Sequence, residues 1–260
     1  MKQAALAAGI CVLQPPRLRD LEWPGRLAAY GADLAVVVAF GQILPQAVLE
    51  APVRGSINIH ASLLPKYRGA APIQWAIIRG ETETGITTFQ MDPGMDTGDV
   101  LLMRAMSIGA DETAGELSER LAALGAEVIV ETLDRLDTLT PRPQDHAAAT
   151  LAPRLKKTDG AIDWTKSAHE IVNLVRGCNP WPGATTSTPA GLLTIRRARV
   201  TAGKQPGPGR VVAYEGGCAI VTDDGLLAPV VVQPENRKPM SWGDWLRGAR
   251  LPAGARFGGP

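Results

Sequence analysis

Asp33-Leu-Ala-Val-Val-Val-Ala-Phe40 is a valine-rich apolar run closed by Gly41 and Pro45. A short run that is apolar on both sides predicts a central, fully buried strand of a parallel sheet. The elements around it fit that sheet. Residues 1–8 read as a helical stretch and residues 46–50 as a short helix. Residues 56–62 form the next strand, broken at Pro65. The pattern predicts a helix over 71–79 and strands over 85–91 and 100–108. Thr113-Ala-Gly-Glu116 has capping-box spacing and opens a long amphipathic helix that turns Leu117, Leu121, Leu124, Val128 and Leu133 inward. Strands interleaved with helices predict an α/β unit with a mostly parallel sheet.

Composition then changes. Thr140-Pro-Arg-Pro-Gln-Asp-His146 is polar and proline-bearing, so residues 1–140 read as one domain, 141–159 as a linker and 160–260 as a second domain. Within the second, residues 167–176 read as a helix and 184–233 as short β-like runs punctuated by Gly and Pro, which suits a small β-barrel. Ser241 is placed to cap a closing helix.

Charge and cysteines exclude several classes. The 27 basic residues against 26 acidic ones leave a formal net charge of +1, so no global field draws the chain to nucleic acid. Cys11, Cys178 and Cys218 are isolated and lack metal-ligand spacing, which predicts a reduced, cytoplasmic setting and no metal. The 34–40 run is too short to cross a bilayer. No G-x-G-x-x-G fingerprint is present. The chain is expected to act as a monomer.

Two segments carry chemistry. In Ser56-Ile-Asn58-Ile-His60-Ala-Ser62-Leu-Leu-Pro65 the strand period places Asn58 and His60 on one face. Met91-Asp92-Pro-Gly-Met-Asp96-Thr-Gly-Asp99 offers a carboxylate on a glycine-bearing loop. An amide, an imidazole and a carboxylate suit acyl transfer to an amine. The amide polarises a carbonyl, the imidazole moves a proton and the carboxylate tunes the imidazole. No Ser or Cys stands in an activated pair, so the amine is expected to attack directly, with no covalent enzyme intermediate. Each residue has a plainer reading: a core histidine, a strand-end cap, a turn aspartate in competition with Asp92 and Asp99. Lys66 and Arg68 are solvated charges or contacts to an anionic substrate. Arg196, Arg197, Arg199 and Lys204, the densest basic cluster, are a solvated face or a track for phosphates. Trp164 and Trp181 are expected at the domain junction, and His146 and His169 have no partner motif.

Asn58-Ile-His60-Ala-Ser62-Leu-Leu-Pro65-Lys-Tyr-Arg-Gly-Ala-Ala-Pro72, followed by Met95-Asp96-Thr-Gly-Asp99, resembles the folate-dependent formyltransferases, and the resemblance covers essentially the whole chain. Gly69-Ala-Ala-Pro-Ile-Gln74, and Ile162-Asp-Trp164 with Asn179-Pro-Trp-Pro182, are most similar to members that act on initiator methionyl-tRNA. The resemblance implies a Rossmann-like domain followed by a barrel of oligonucleotide-binding type. It implies transfer of a formyl group from 10-formyltetrahydrofolate to the α-amino group of methionine on initiator tRNA, for translation initiation. By position, Asn58, His60 and Asp96 match the catalytic trio, and Ser62, Leu63, Leu64 and Pro65 match the folate-binding loop. Phe40-Gly-Gln-Ile-Leu44 looks like the segment lining the pterin pocket. Other acceptors in the resemblance are glycinamide ribonucleotide and amino sugar nucleotides; an inactive folate- or RNA-binding fragment is the non-enzyme reading. The family pattern places a strand, a helix and a second strand ahead of the position of Met1, which implies further chain upstream.

Overall fold

In this computed structural model, residues 2–18, 20, 22–215 and 217–258 are described. The valine run forms strand β1 (Ala35–Val38), followed by β2 (Ser56–His60), β3 (Glu83–Gln90) and β4 (Val100–Ser107). They pair in the order β1-β2-β3-β4. β1 is therefore an edge strand rather than the central one expected. No described strand pairs with its outer side, and Val36 and Val38 are 42% and 38% exposed. The sheet is mixed: β1 runs parallel to β2 with Val37 opposite Asn58, while β2–β3 and β3–β4 are antiparallel. The mostly parallel expectation gives way because β3 and β4 are joined directly by the Asp96 loop, and a hairpin connection forces antiparallel pairing.

Helices α1 (Lys2–Ala7), α2 (Glu22–Ala28) and α3 (Gln46–Leu49) precede β2, and α4 (Pro72–Ile78) follows it. The long helix α5 (Ala114–Asp134) carries the anticipated capping box: Glu116 N–H donates to Thr113 Oγ1, and Thr113 N–H donates back to the Glu116 carboxylate at 2.8 Å. Its buried stripe is Leu117, Leu121, Leu124, Val128 and Thr132, not Leu133, which is 42% exposed. Steps of three and four residues carry the stripe to Thr132, whose hydroxyl meets Thr88 Oγ1 of β3 at 2.9 Å.

Residues 142–152 lie along the first sheet. Arg142 pairs with Val100, and Leu151 with Arg68. Helix α6 (Ala168–Gly177) then packs on α4. The contact is close at Gly177, where an added Cβ would lie 2.5 Å from Ile78 Cγ1 and 2.9 Å from the Gln74 carbonyl oxygen. Arg176 Nη1 donates to the Gly109 and Glu112 carbonyls at 3.1 and 3.2 Å. Gly177→Val will wedge this junction and cost about 1–3 kcal/mol, read as a lowered midpoint in thermal unfolding; an unchanged midpoint would show that the α4–α6 contact is loose.

The second sheet contains β5 (Ala184–Thr188), β6 (Gly191–Thr201), β7 (Val211–Tyr214), β8 (Gly217–Val221), β9 (Leu226–Pro234) and β10 (Met240–Ser241), followed by α7 (Trp242–Ala249) with Ser241 as its N-cap. The order is β5-β6-β9-β8-β7 with β10 on β9, all antiparallel. Among the described residues β5 and β7 do not pair, so the sheet is open where a closed barrel was expected. Other chain segments occupy those edges: Ala161 bridges to Thr185, and Arg210, beside β7, bridges to Arg256. The core of this unit includes Trp164, Ile171, Ile195, Leu227, Val232, Trp242 and Phe257. Trp164 thus belongs to the second core rather than to the junction, with its Nε1–H on Thr186 Oγ1 at 3.0 Å; Trp181 is half exposed. No helix of the described residues is long and apolar enough to cross a membrane.

Candidate active site

The two-residue period of β2 puts Ile59 in the α5 core and turns Asn58 and His60 to the opposite face, beside their cross-strand partners Phe89 and Thr87. His60 is 6% exposed. Its Nε2–H donates to the Tyr67 carbonyl oxygen at 2.8 Å. A carbonyl can only accept, so Nε2 keeps its proton and Nδ1 is the nitrogen free to exchange one. Nδ1 faces Asp96 Oδ2 at 3.7 Å, too long for a hydrogen bond but close enough for the carboxylate to stabilise a proton there.

Asp96 is held from several sides. Its backbone is left-handed, at φ +54. Its Oδ2 accepts the Gly69 N–H at 2.7 Å. Two residues on, an added Cβ at Gly98 would sit 1.8 Å from the Gln90 carbonyl oxygen, so only glycine fits that turn. Asp92 serves the loop instead, accepting from Gly94 N–H at 3.0 Å and Thr97 Oγ1 at 2.7 Å. Asp99 is exposed, and its carbonyl accepts the Gln90 N–H. The structure brings His60 and Asp96 together and leaves the other two carboxylates aside. Asn58 is half buried, and among the described residues its side chain has no hydrogen-bond partner, so its amide is available to a ligand.

The Ser62–Pro65 turn is built inward. Ser62 Oγ donates to the Lys66 carbonyl at 2.6 Å, Thr87 Oγ1 donates to the Ser62 carbonyl at 2.6 Å, and Leu64 packs with Phe89 and Val100. Leu63 turns aside toward Gly85 and lines a cavity of about 70 Å³ with Tyr67, Glu81 and Thr84. The loop therefore offers a ligand its backbone and Pro65 rather than the Ser62 or Leu64 side chains. Phe40 and Ile43, just past β1, are exposed, and Leu44 is half buried. They lie at the carboxyl end of β1, alongside that of the parallel β2, which is where open α/β sheets take ligands.

Residues 2–133 match the formyl transferase family, and residues 154–250 match the C-terminal domain of formyl transferases. The chain belongs to the formyl transferase family. It is 51% identical over 263 residues to the methionyl-tRNA formyltransferase of Geobacter metallireducens, covering 99% of this chain and 84% of that relative. The fold is shared with an N-formyltransferase from Helicobacter canadensis, solved with folinic acid and dTDP-3-aminofucose, at TM-score 0.64 and 22% identity over 87% of this chain and 81% of that one. It is also shared with HypX from Aquifex aeolicus, solved with tetrahydrofolic acid, at TM-score 0.64 and 20% identity over 87% of this chain and 41% of that one.

Within this formyl transferase frame Arg68, Arg196 and Arg197 are already engaged. Arg68 is 6% exposed, with its Nε and Nη2 on Gln144 Oε1 at 3.1 and 2.6 Å, which sets aside the solvated reading. Its Nη2 also meets His146 Nδ1 at 3.1 Å. Arg196 bonds Gln233 Oε1 and the Pro180 carbonyl, and Arg197 pairs with Glu116. Gln144 and Thr87 had no signal in the sequence, because both act through contacts distant along the chain.

Tyr67, whose carbonyl holds His60, turns its ring into the α5 core. Burial, aided by its hydrogen bond to Glu81 at 2.7 Å, pushes its phenol up from 10.0 to about 12. A raised phenol pKa stabilises the fold while the proton is on, so this contribution is complete below pH 10 and is lost as pH rises through about 12. A phenolate absorbance titration will show one tyrosine ionising late, and Tyr67→Phe will remove that step. Its persistence in the variant would assign it elsewhere.

Proposed function

We propose that this chain transfers the formyl group of 10-formyltetrahydrofolate to the α-amino group of initiator methionyl-tRNA, in the cytoplasm, as a step of translation initiation. The observation that carries this reading is the Asn58–His60–Asp96 constellation beside the carboxyl ends of β1 and β2, in a chain 51% identical to a methionyl-tRNA formyltransferase. In this reading residues 1–140 perform the chemistry, 141–159 connect, and 160–260 help to hold the RNA as a monomeric enzyme.

The folate lies along the Phe40–Leu44 segment and the Ser62–Pro65 turn, with its formyl group over Asn58 and His60. The amine nitrogen attacks the formyl carbon directly. As the new C–N bond forms, the carbonyl electrons move to oxygen, and the Asn58 amide N–H opposes that charge. The amine loses one proton, the electrons on oxygen return to re-form the carbonyl as the bond from carbon to the folate N10 breaks, and N10 gains one proton. Nδ1 of His60 is the group placed to pass that proton, since Nε2 is committed to Tyr67. Asp96 opposite Nδ1 steadies the imidazolium during the exchange.

The test offers a radiolabelled 10-formyl donor with methionyl-tRNA, dTDP-amino sugar or glycinamide ribonucleotide as acceptor. Label is expected on methionyl-tRNA. Label on a sugar or ribonucleotide, with methionyl-tRNA untouched, would overturn the acceptor assignment.

A further inference from the structure

The stretch Thr140-Pro-Arg-Pro-Gln-Asp-His146 reads as a plain connector, yet Gln144 is only 7% exposed. A carboxamide has two N–H donors and an oxygen acceptor, and all are used. Nε2 donates to the Asp96 carbonyl oxygen at 2.9 Å and to the Gly98 carbonyl oxygen at 2.7 Å. Oε1 accepts both Nε and Nη2 of the buried Arg68. A cation on the oxygen draws electrons from the amide and strengthens its N–H donors. Arg68 in turn is fixed by the connector, with its N–H on the Thr150 carbonyl at 2.8 Å and its carbonyl accepting the Ala152 N–H at 2.7 Å. Its neighbours on either side hold the proposed catalytic pair: the Tyr67 carbonyl accepts from His60, and the Gly69 N–H donates to Asp96.

We infer that Gln144 is a positioning residue for Asp96, clamping the left-handed Asp96 turn against Arg68 so that the carboxylate faces His60 Nδ1. The inference rests on the assignment of His60 and Asp96 above. It makes the connector part of the catalytic site: the same residues that lead to the second sheet set the geometry of the carboxylate.

Gln144→Glu separates positioning from simple packing. The new carboxylate keeps the acceptor for Arg68 and the side-chain volume, but turns a donor into an acceptor aimed at two carbonyls. Misplacement by about 1 Å can cost about a hundredfold in rate, so kcat is expected to fall about 10- to 100-fold, with KM for donor and acceptor within about threefold. Gln144→Met, which removes the donors without adding charge, is the second variant, and both are checked for an intact fold by circular dichroism. The deciding arm repeats Gln144→Glu in an Asp96→Asn background under single-turnover conditions. A residue acting through Asp96 costs less than about twofold there, because coupled residues are non-additive. The same loss in both backgrounds, or wild-type kcat in both Gln144 variants, would overturn the inference. Parent activity and a His60→Ala control are measured beside them, so failure of the His60–Asp96 assignment shows as an active control, and failure of this inference as an inactive control with an unaffected Gln144 variant.

Discussion

Replacing His60 by alanine will lower kcat for formyl transfer by about 10²–10⁴-fold while KM for the folate stays within a few-fold. That range is what a positioned acid–base group contributes, and the KM–kcat split follows because the imidazole acts on charge that develops only in the transition state. The Nε2 bond to Tyr67 and the 3.7 Å approach of Asp96 to Nδ1 leave a single exchangeable position, and no other imidazole comes from this face of β2. Removing a buried ring also strips the Tyr67 carbonyl of its donor, which costs about 1–3 kcal/mol of stability. The rate is therefore read together with circular dichroism and the unfolding midpoint. A folded His60→Ala chain within threefold of the parent rate would remove His60 from the chemistry.

Asn58→Ala comes next, with an anticipated loss of about 10²–10³-fold in kcat, the usual cost of removing one oxyanion donor. Stability should barely move, because the Asn58 amide has no partner among the described residues to lose. That combination separates the proposed role from the strand-end cap considered from sequence: a cap loses stability and keeps its rate. Steady-state kinetics with chemical denaturation distinguishes the two. A large stability loss at normal kcat would assign Asn58 to the turn.

Local features were legible in the sequence. The β2 period gave the shared face of Asn58 and His60, Thr113 and Glu116 gave the start of α5, and Ser241 gave the cap of α7. These depend on neighbours a few residues apart. What was misread depends on pairing at a distance. Valine content predicts burial, but whether β1 is central or an edge is decided by which strands flank it. The second sheet has the short strands of a barrel, yet Ala161 and Arg256 occupy the edges that closure would need. Thr132 replaces Leu133 on the α5 stripe because a buried threonine can be satisfied by Thr88 on β3. Gln144 looked like linker because its partners, Arg68 at 76 residues and Asp96 at 48, are far along the chain.

The claim that the formyl group moves between Asn58 and His60 is tested most directly by a crystal structure of the chain with a stable 10-formylated folate analogue bound. The formyl oxygen should lie about 3 Å from Asn58 Nδ2, within hydrogen-bond or one-water reach of His60 Nδ1. The pterin should lie along Phe40–Leu44. An analogue bound with its formyl group on another face of the sheet would contradict the assignment.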